Sequence, residues 1–184
     1  DVSNFDTSNV TDMTMMFSHC YSLKSLDVSN FNTSNVTTMS AMFSTCKSLQ
    51  SLDVSNLNTS NVDSMYYMFC DCELFQSLDV SNFNTSNVTT MNGMFSGCKS
   101  LQSLDLSNFN VSNVTNMSCM FEGCTNLVSL KFNGWNLRWL DRDGDVAMFE
   151  GCSNLKTIYM KGCNQETINR IRITLNIEGM SDQV

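Results

Sequence analysis

The chain has 184 residues, 42% hydrophobic and 15% charged, with nine cysteines, fourteen methionines and no proline. That length is one domain's worth and enough for a sizeable core; its charged fraction is well below the roughly 25% of an average domain, so Ser, Thr and Asn must supply the polar surface. A net charge of −8 argues against nucleic acid, which needs clustered Lys and Arg, and no apolar run approaches the roughly 18 residues of a membrane span.

The chain starts mid-repeat, at the Asp of DVSNF, so a longer parent protein is expected. Cys20, Cys46, Cys72, Cys98 and Cys124 are each 26 residues apart, and Cys152 follows after 28. Asp27, Asp53, Asp79 and Asp105 keep the same interval, as do Phe17, Phe43, Phe69, Phe95 and Phe121. The fourteen residues LDVSNFNTSNVTTM that begin at Leu26 recur unchanged from Leu78. A fixed period of this size marks a solenoid, whose units bury their apolar faces only by stacking.

Within the unit 23–49, Leu23, Leu26 and Val28 have the spacing of a short strand with its apolar side inward. Ser29-Asn30 turns the chain and Phe31 returns to the core. Thr33-Ser34-Asn35 is a cluster of helix N-cap residues. Val36, Met39, Met42, Phe43 and Cys46 then mark one face of about two and a half turns of helix. Strands starting near Leu26, Leu52, Leu78, Leu104, Leu130 and Ile158 are expected to form a parallel sheet. The fold class expected is therefore an α/β repeat solenoid, with the sheet on one side and short helices or helical turns on the other.

Residues 1–130 are read as five regular repeats, the first truncated. Residues 131–163 form a degenerate repeat with a two-residue insertion, and 164–184 a C-terminal cap. In that cap, Asn164-Gln165-Glu166-Thr167 would start a helix carrying Ile168, Ile171 and Leu175. Up to residue 130 there are eleven acids and three bases, whereas 131–184 hold seven of each. The regular coils carry the whole net charge.

L-x-x-L-D-V-S-N-F, followed by T-S-N-V-T-x-M-x-x-M-F-x-x-C-x-S-L, resembles the repeats of BspA-like leucine-rich-repeat surface proteins of bacteria, over about residues 1–130. The resemblance implies a right-handed, leucine-rich-repeat-like stack, an extracellular or cell-surface location, and adhesion or binding of a protein or glycan. It implies no catalytic residues and no cofactor. One departure stands out: the general leucine-rich pattern would place Asn at position 31, where Phe31 sits, and Asn30 comes one residue early.

The candidate binding residues are Asp27, Asp53, Asp79 and Asp105 with Ser29, Ser55, Ser81 and Ser107, all expected on the outer face of the sheet. Like charges at one-strand spacing repel by several tenths of a kcal/mol per pair, so raised aspartate pKa values would be their signature. Two readings of the kept column stand side by side: it serves a basic partner or a cation such as Ca²⁺, or duplication copied a tolerated residue whose carboxylate bonds the neighbouring serine. The cysteine column reads as small buried hydrophobes, because parallel Cβ vectors suit a bridge poorly. Cys70 with Cys72, or Cys119 with Cys124, is the alternative for a local disulfide. A single histidine leaves no metal site expected. Asp141-Arg142-Asp143-Gly144-Asp145 begins like a calcium loop, but its twelfth position is Cys152 rather than Glu, so it reads as a turn flanked by Trp135 and Trp139. Thr7, Thr33, Thr59 and Thr85 resemble flat threonine arrays that bind ice, yet Val111 interrupts them and helix capping explains the residue type.

A repeat spreads the same residues along a surface instead of converging unlike ones in a pocket. An enzyme is therefore not expected. Two readings remain: a binding solenoid presenting its sheet face to an extracellular protein or glycan, or a structural spacer with no ligand. The near-identity of coils two and four favours the spacer. Modest variation along Lys24, Gln50, Gln76, Gln102, Val128 and Lys156 fits weak, multivalent contact.

Overall fold

Residues 36–46 carry the inward spacing of a helix, but the backbone takes another course. In the computed structural model, which describes residues 2–137 and 146–175, this segment is a run of tight turns. Alternate N–H groups divide the work. Met42, Ser44 and Cys46 donate back three residues, to Met39, Ala41 and Phe43. Met39, Ala41, Phe43 and Thr45 donate forward to Ser64, Tyr66, Met68 and Cys70 of the next coil, at 2.6–3.1 Å. A helix would send every N–H back four residues within its own segment; here half of them join neighbouring coils. The inward spacing survives because turns closed every two residues return side chains to the core much as a helix does.

The turns require two left-handed residues per coil. Ala41 and Thr45 have φ of 53° and 63°, and Gly93 and Gly97 of 59° and 70°. Cys119 and Gly123 continue the same two columns, at 58° and 69°. Parallel bridges link this wall from Asp12 through Thr38, Ser64 and Thr90 to Asn116.

Two polar columns tie the remaining sides. Thr33 is buried, and its hydroxyl donates to the Asn58 carbonyl at 3.0 Å while accepting the Asn58 N–H at 2.7 Å. Thr7, Thr59 and Thr85 clamp the peptides of Asn32, Asn84 and Asn110 in the same way. These threonines are therefore interior ties between coils, neither helix caps nor an exposed array. Asn56 donates to the carbonyls of Val28 and Ser29 in the preceding coil at 2.8 and 3.1 Å, and Asn82 does the same to Val54 and Ser55 at 2.9 and 3.1 Å. The asparagine one residue early thus still makes an inter-coil ladder.

Among the described residues, regular strand pairing is confined to the last three coils: β1 (Ser103–Leu106), β2 (Ser129–Asn133) and β3 (Thr157–Lys161) are parallel, in that order, with Leu104, Leu130 and Ile158 in register. The earlier strands of the expected sheet are not formed as regular strands. There the asparagine amides occupy carbonyls at the strand ends. At the β1–β2 junction that column is Gly134, and the ladder forms.

The interior is columnar. Phe17, Phe43, Phe69, Phe95, Phe121 and Phe149 stack with centroids 5.6–6.0 Å apart and planes within 10°. Met39, Met65, Met91 and Met117 and Met42, Met68, Met94 and Met120 are fully buried beside them. At the far end α1 (Gln165–Leu175) packs on a 3-10 turn, Val146–Phe149. Asn164 caps it by accepting the Thr167 N–H at 2.7 Å. Ile171 is buried, and the Thr167 hydroxyl accepts the Leu137 N–H at 2.9 Å. The Asp141–Asp145 segment and Trp139 lie outside the described residues. Trp135 is buried and stacks on Phe132 with centroids 4.0 Å apart.

Candidate functional site: the aspartate–serine face

All eight candidate residues are exposed, one Asp–Ser pair on each of four successive coils. The local geometry follows from the D-x-S spacing. In each pair the aspartate Oδ1 accepts the serine backbone N–H: Ser29 to Asp27, Ser55 to Asp53 and Ser81 to Asp79 at 2.9 Å, and Ser107 to Asp105 at 3.0 Å. This is the turn in which an Asx side chain bonds the backbone two residues on. It commits one oxygen of each exposed carboxylate.

These bonds decide the electrostatics. The serine hydroxyl and then its N–H hold Asp27, Asp53 and Asp79 below the usual carboxylate value of 3.8. The neighbouring aspartate opposes this at Asp53 and Asp79, but more weakly. Raised aspartate pKa values, the signature of dominant like-charge repulsion, are therefore not what the geometry favours: hydrogen bonding to the neighbouring serine outweighs repulsion between solvated groups. At Asp105 a fourth influence enters, because Lys131 of the next coil lies 3.1 Å from Oδ2. Lys131 occupies the aspartate column itself, so the acidic rail ends in an ion pair.

Between the fourth and fifth coils the face sinks into an open groove of 530 Å³ lined by Ser77, Asp79, Ser81, Ser103, Asp105 and Ser107. Asn108 also lines it, with its amide donating to Val80 and Phe83 carbonyls at 3.1 and 3.0 Å. Ser77, Ser103 and Asn108 were not among the expected site residues; their signal is that each also repeats at the 26-residue interval. Among the described residues no group of three or more His, Cys, Asp or Glu is arranged to hold a metal ion.

The cysteines stand apart from this face. All nine are thiols. Cys46, Cys72, Cys98 and Cys124 donate from Sγ to the carbonyls of Phe17, Phe43, Phe69 and Phe95, at 3.1–3.2 Å. Aimed at the preceding coil's backbone, they do not face each other. Burial pushes the Cys46 thiol up to about 11, and Cys72 and Cys98 well upward. Neither Cys70–Cys72 nor Cys119–Cys124 is bridged.

The coil-to-coil bonding at a 26-residue interval defines the class: a repeat protein. A family model described as "Mycoplasma protein of unknown function, DUF285" matches residues 1–77 and again residues 46–161, and the chain belongs to that family. No curated protein matches it. No helix among the described residues is long and apolar enough to cross a membrane.

Proposed function

We propose that this chain is a non-enzymatic, right-handed solenoid of the leucine-rich-repeat type, secreted or displayed at a cell surface, which binds an extracellular protein or glycan through its aspartate–serine face. The supporting observation is the exposed rail of carboxylates that sinks into the groove at Asp79 and Asp105. In Asp27, Asp53 and Asp79 one oxygen fixes the orientation of an exposed carboxylate, so the face offers preorganised acceptors at regular spacing. Such a surface suits hydroxyl or cationic donors, and repetition multiplies individually weak contacts.

The test is an array of glycans and matrix proteins probed with the purified chain, with and without EDTA. A binding partner retained by the wild type and weakened at least tenfold by Asp53→Asn/Asp79→Asn is expected. The spacer reading draws on a specific observation too, since every aspartate in the column already serves its own turn. Absence of binding to every component would leave the spacer.

A further inference from the structure

One coil departs from its copies, and it departs most on one wall. Residues 52–56, LDVSN, are identical to 26–30 and 78–82. Residues 66–75, by contrast, differ from both 40–49 and 92–101 at seven of ten positions. The three retained residues are Met68, Phe69 and Cys72, all fully buried. Of the seven changed, only Phe75 is buried; the rest, Tyr66, Tyr67, Cys70, Asp71, Glu73 and Leu74, lie at or near the surface of the turn wall. The core of this coil stays apolar, with Phe75 for Leu49 and Leu101 and Leu57 for Phe31 and Phe83, while its outward chemistry has been rewritten.

The rewriting has a sign. Residues 37–49 and 89–101 each carry one lysine and no acid, whereas 63–75 carry Asp63, Asp71 and Glu73 and no base. The two neighbouring lysines are occupied, since Lys47 and Lys99 lie 2.9 and 3.2 Å from opposite oxygens of Glu73. Aromatic surface arrives with the acids: Tyr66 is 45% exposed, Leu74 43%, and the Tyr66 and Tyr67 rings meet edge to face at 4.4 Å.

The next coil seats these side chains. A Cβ on Gly93 would overlap the Tyr67 ring, and one on Gly97 would overlap the Asp71 carboxylate. Tyr67 and Asp71 thus lie in the space that two glycines leave, with Glu122 one coil further on, where the Gly97 N–H bonds its carbonyl at 2.7 Å. Exposed aromatic surface on a coil wall that carries three acids and no base of its own complements guanidinium or ammonium groups by charge and by cation–π contact.

We infer that the turn wall of the third coil, centred on Tyr66, Tyr67 and Asp71, is a docking surface for a basic, Lys/Arg-bearing protein segment. It is separate from the aspartate–serine face.

The test measures fluorescence anisotropy of a fluorescein-labelled octa-arginine peptide against the full chain. Variants restore what the neighbouring coils carry, Tyr66→Ser as at Ser40 and Asp71→Gly as at Gly97, so they suit this backbone. An unchanged urea midpoint or better verifies the fold. The peptide is expected to bind the wild type, to weaken at least tenfold with Tyr66→Ser/Asp71→Gly, and to weaken several-fold less with Asp53→Asn/Asp79→Asn. No binding by the wild type, or equal weakening by both double variants, overturns the inference. So does an array glycan whose binding is lost with Tyr66→Ser/Asp71→Gly while octa-arginine binding persists. Failure of the aspartate–serine reading would leave the tyrosine result untouched.

Discussion

A threonine hydroxyl that both donates to and accepts from one peptide unit is an economical tie between coils. Thr59 is 1% exposed and brackets the Asn84 peptide, donating to its carbonyl at 3.0 Å and accepting its N–H at 2.8 Å. Valine has nearly the same shape and can do neither. Thr59→Val is expected to cost about 2–3 kcal/mol, because two polar groups lose their partner in a site that water reaches poorly. Thr59→Ser keeps the hydroxyl and loses one methyl, about 1 kcal/mol. Urea unfolding of the pair decides: equal losses would mean that packing, not the hydroxyl, matters at this position. The column itself shows where the device stops, since Val111 takes the threonine's place and the coil after it is the degenerate one.

At the scale of the element, the turn wall trades helix bonds for inter-coil bonds and accepts left-handed residues in return. For an L-residue that conformation costs roughly 1–2 kcal/mol, most for a β-branched one. Thr45, at φ 63°, shares its column with Gly97, Gly123 and Gly151. Thr45→Gly is expected to raise stability by about 1 kcal/mol, the gain reduced by glycine's freedom in the unfolded chain; a lower urea midpoint would refute the turn geometry. These glycines were the legible signal that residues 36–46 do not form a helix. Gly93, Gly97 and Gly123 would each cost about 1 kcal/mol in a helix interior, yet they recur among apolar residues at helical spacing. The inward columns were readable because periodicity reports burial directly, and Cys46, Met42 and Phe43 are buried as their spacing implies. Bonding partners were not readable: the acceptor of Thr33 is 25 residues away, and no local pattern announces it. The aspartate–serine face was legible as a column, and so was the serine as the aspartate's partner; which of the two, hydrogen bond or repulsion, governs the carboxylates was not, because their relative size depends on how far the groups are solvated.

Across the molecule, the hydrogen bonds and ring stacks among the described residues join each coil to its neighbours, so stability accumulates coil by coil. Acid should therefore act at many equal sites together. Asp6, Asp12, Asp27, Asp53, Asp79 and Asp105 are all held below 3.8 by a hydroxyl and an N–H two residues on. The folded chain then binds these protons less readily than the unfolded chain. Their stabilisation is fully present above pH 4 to 5 and is lost as pH falls through and below 3.8. Thermal midpoints should be level from pH 7 to about 5 and drop steeply below 4. A midpoint that held or rose on acidification would contradict the turn bonds.

The forward-donating N–H groups of the turn wall carry one more consequence. From Met13 to Gly123 they all run from an earlier coil to a later one, so their peptide dipoles align along the stack as they do in a helix. The polarity is reversed relative to a helix: the donor, positive end lies at the last coil and the acceptor, negative end at the first. The column Ser18, Ser44, Cys70, Ser96, Glu122, Glu150 turns acidic only in its final two coils. The wall thus sets carboxylates at its positive pole, as a helix does at its first turn.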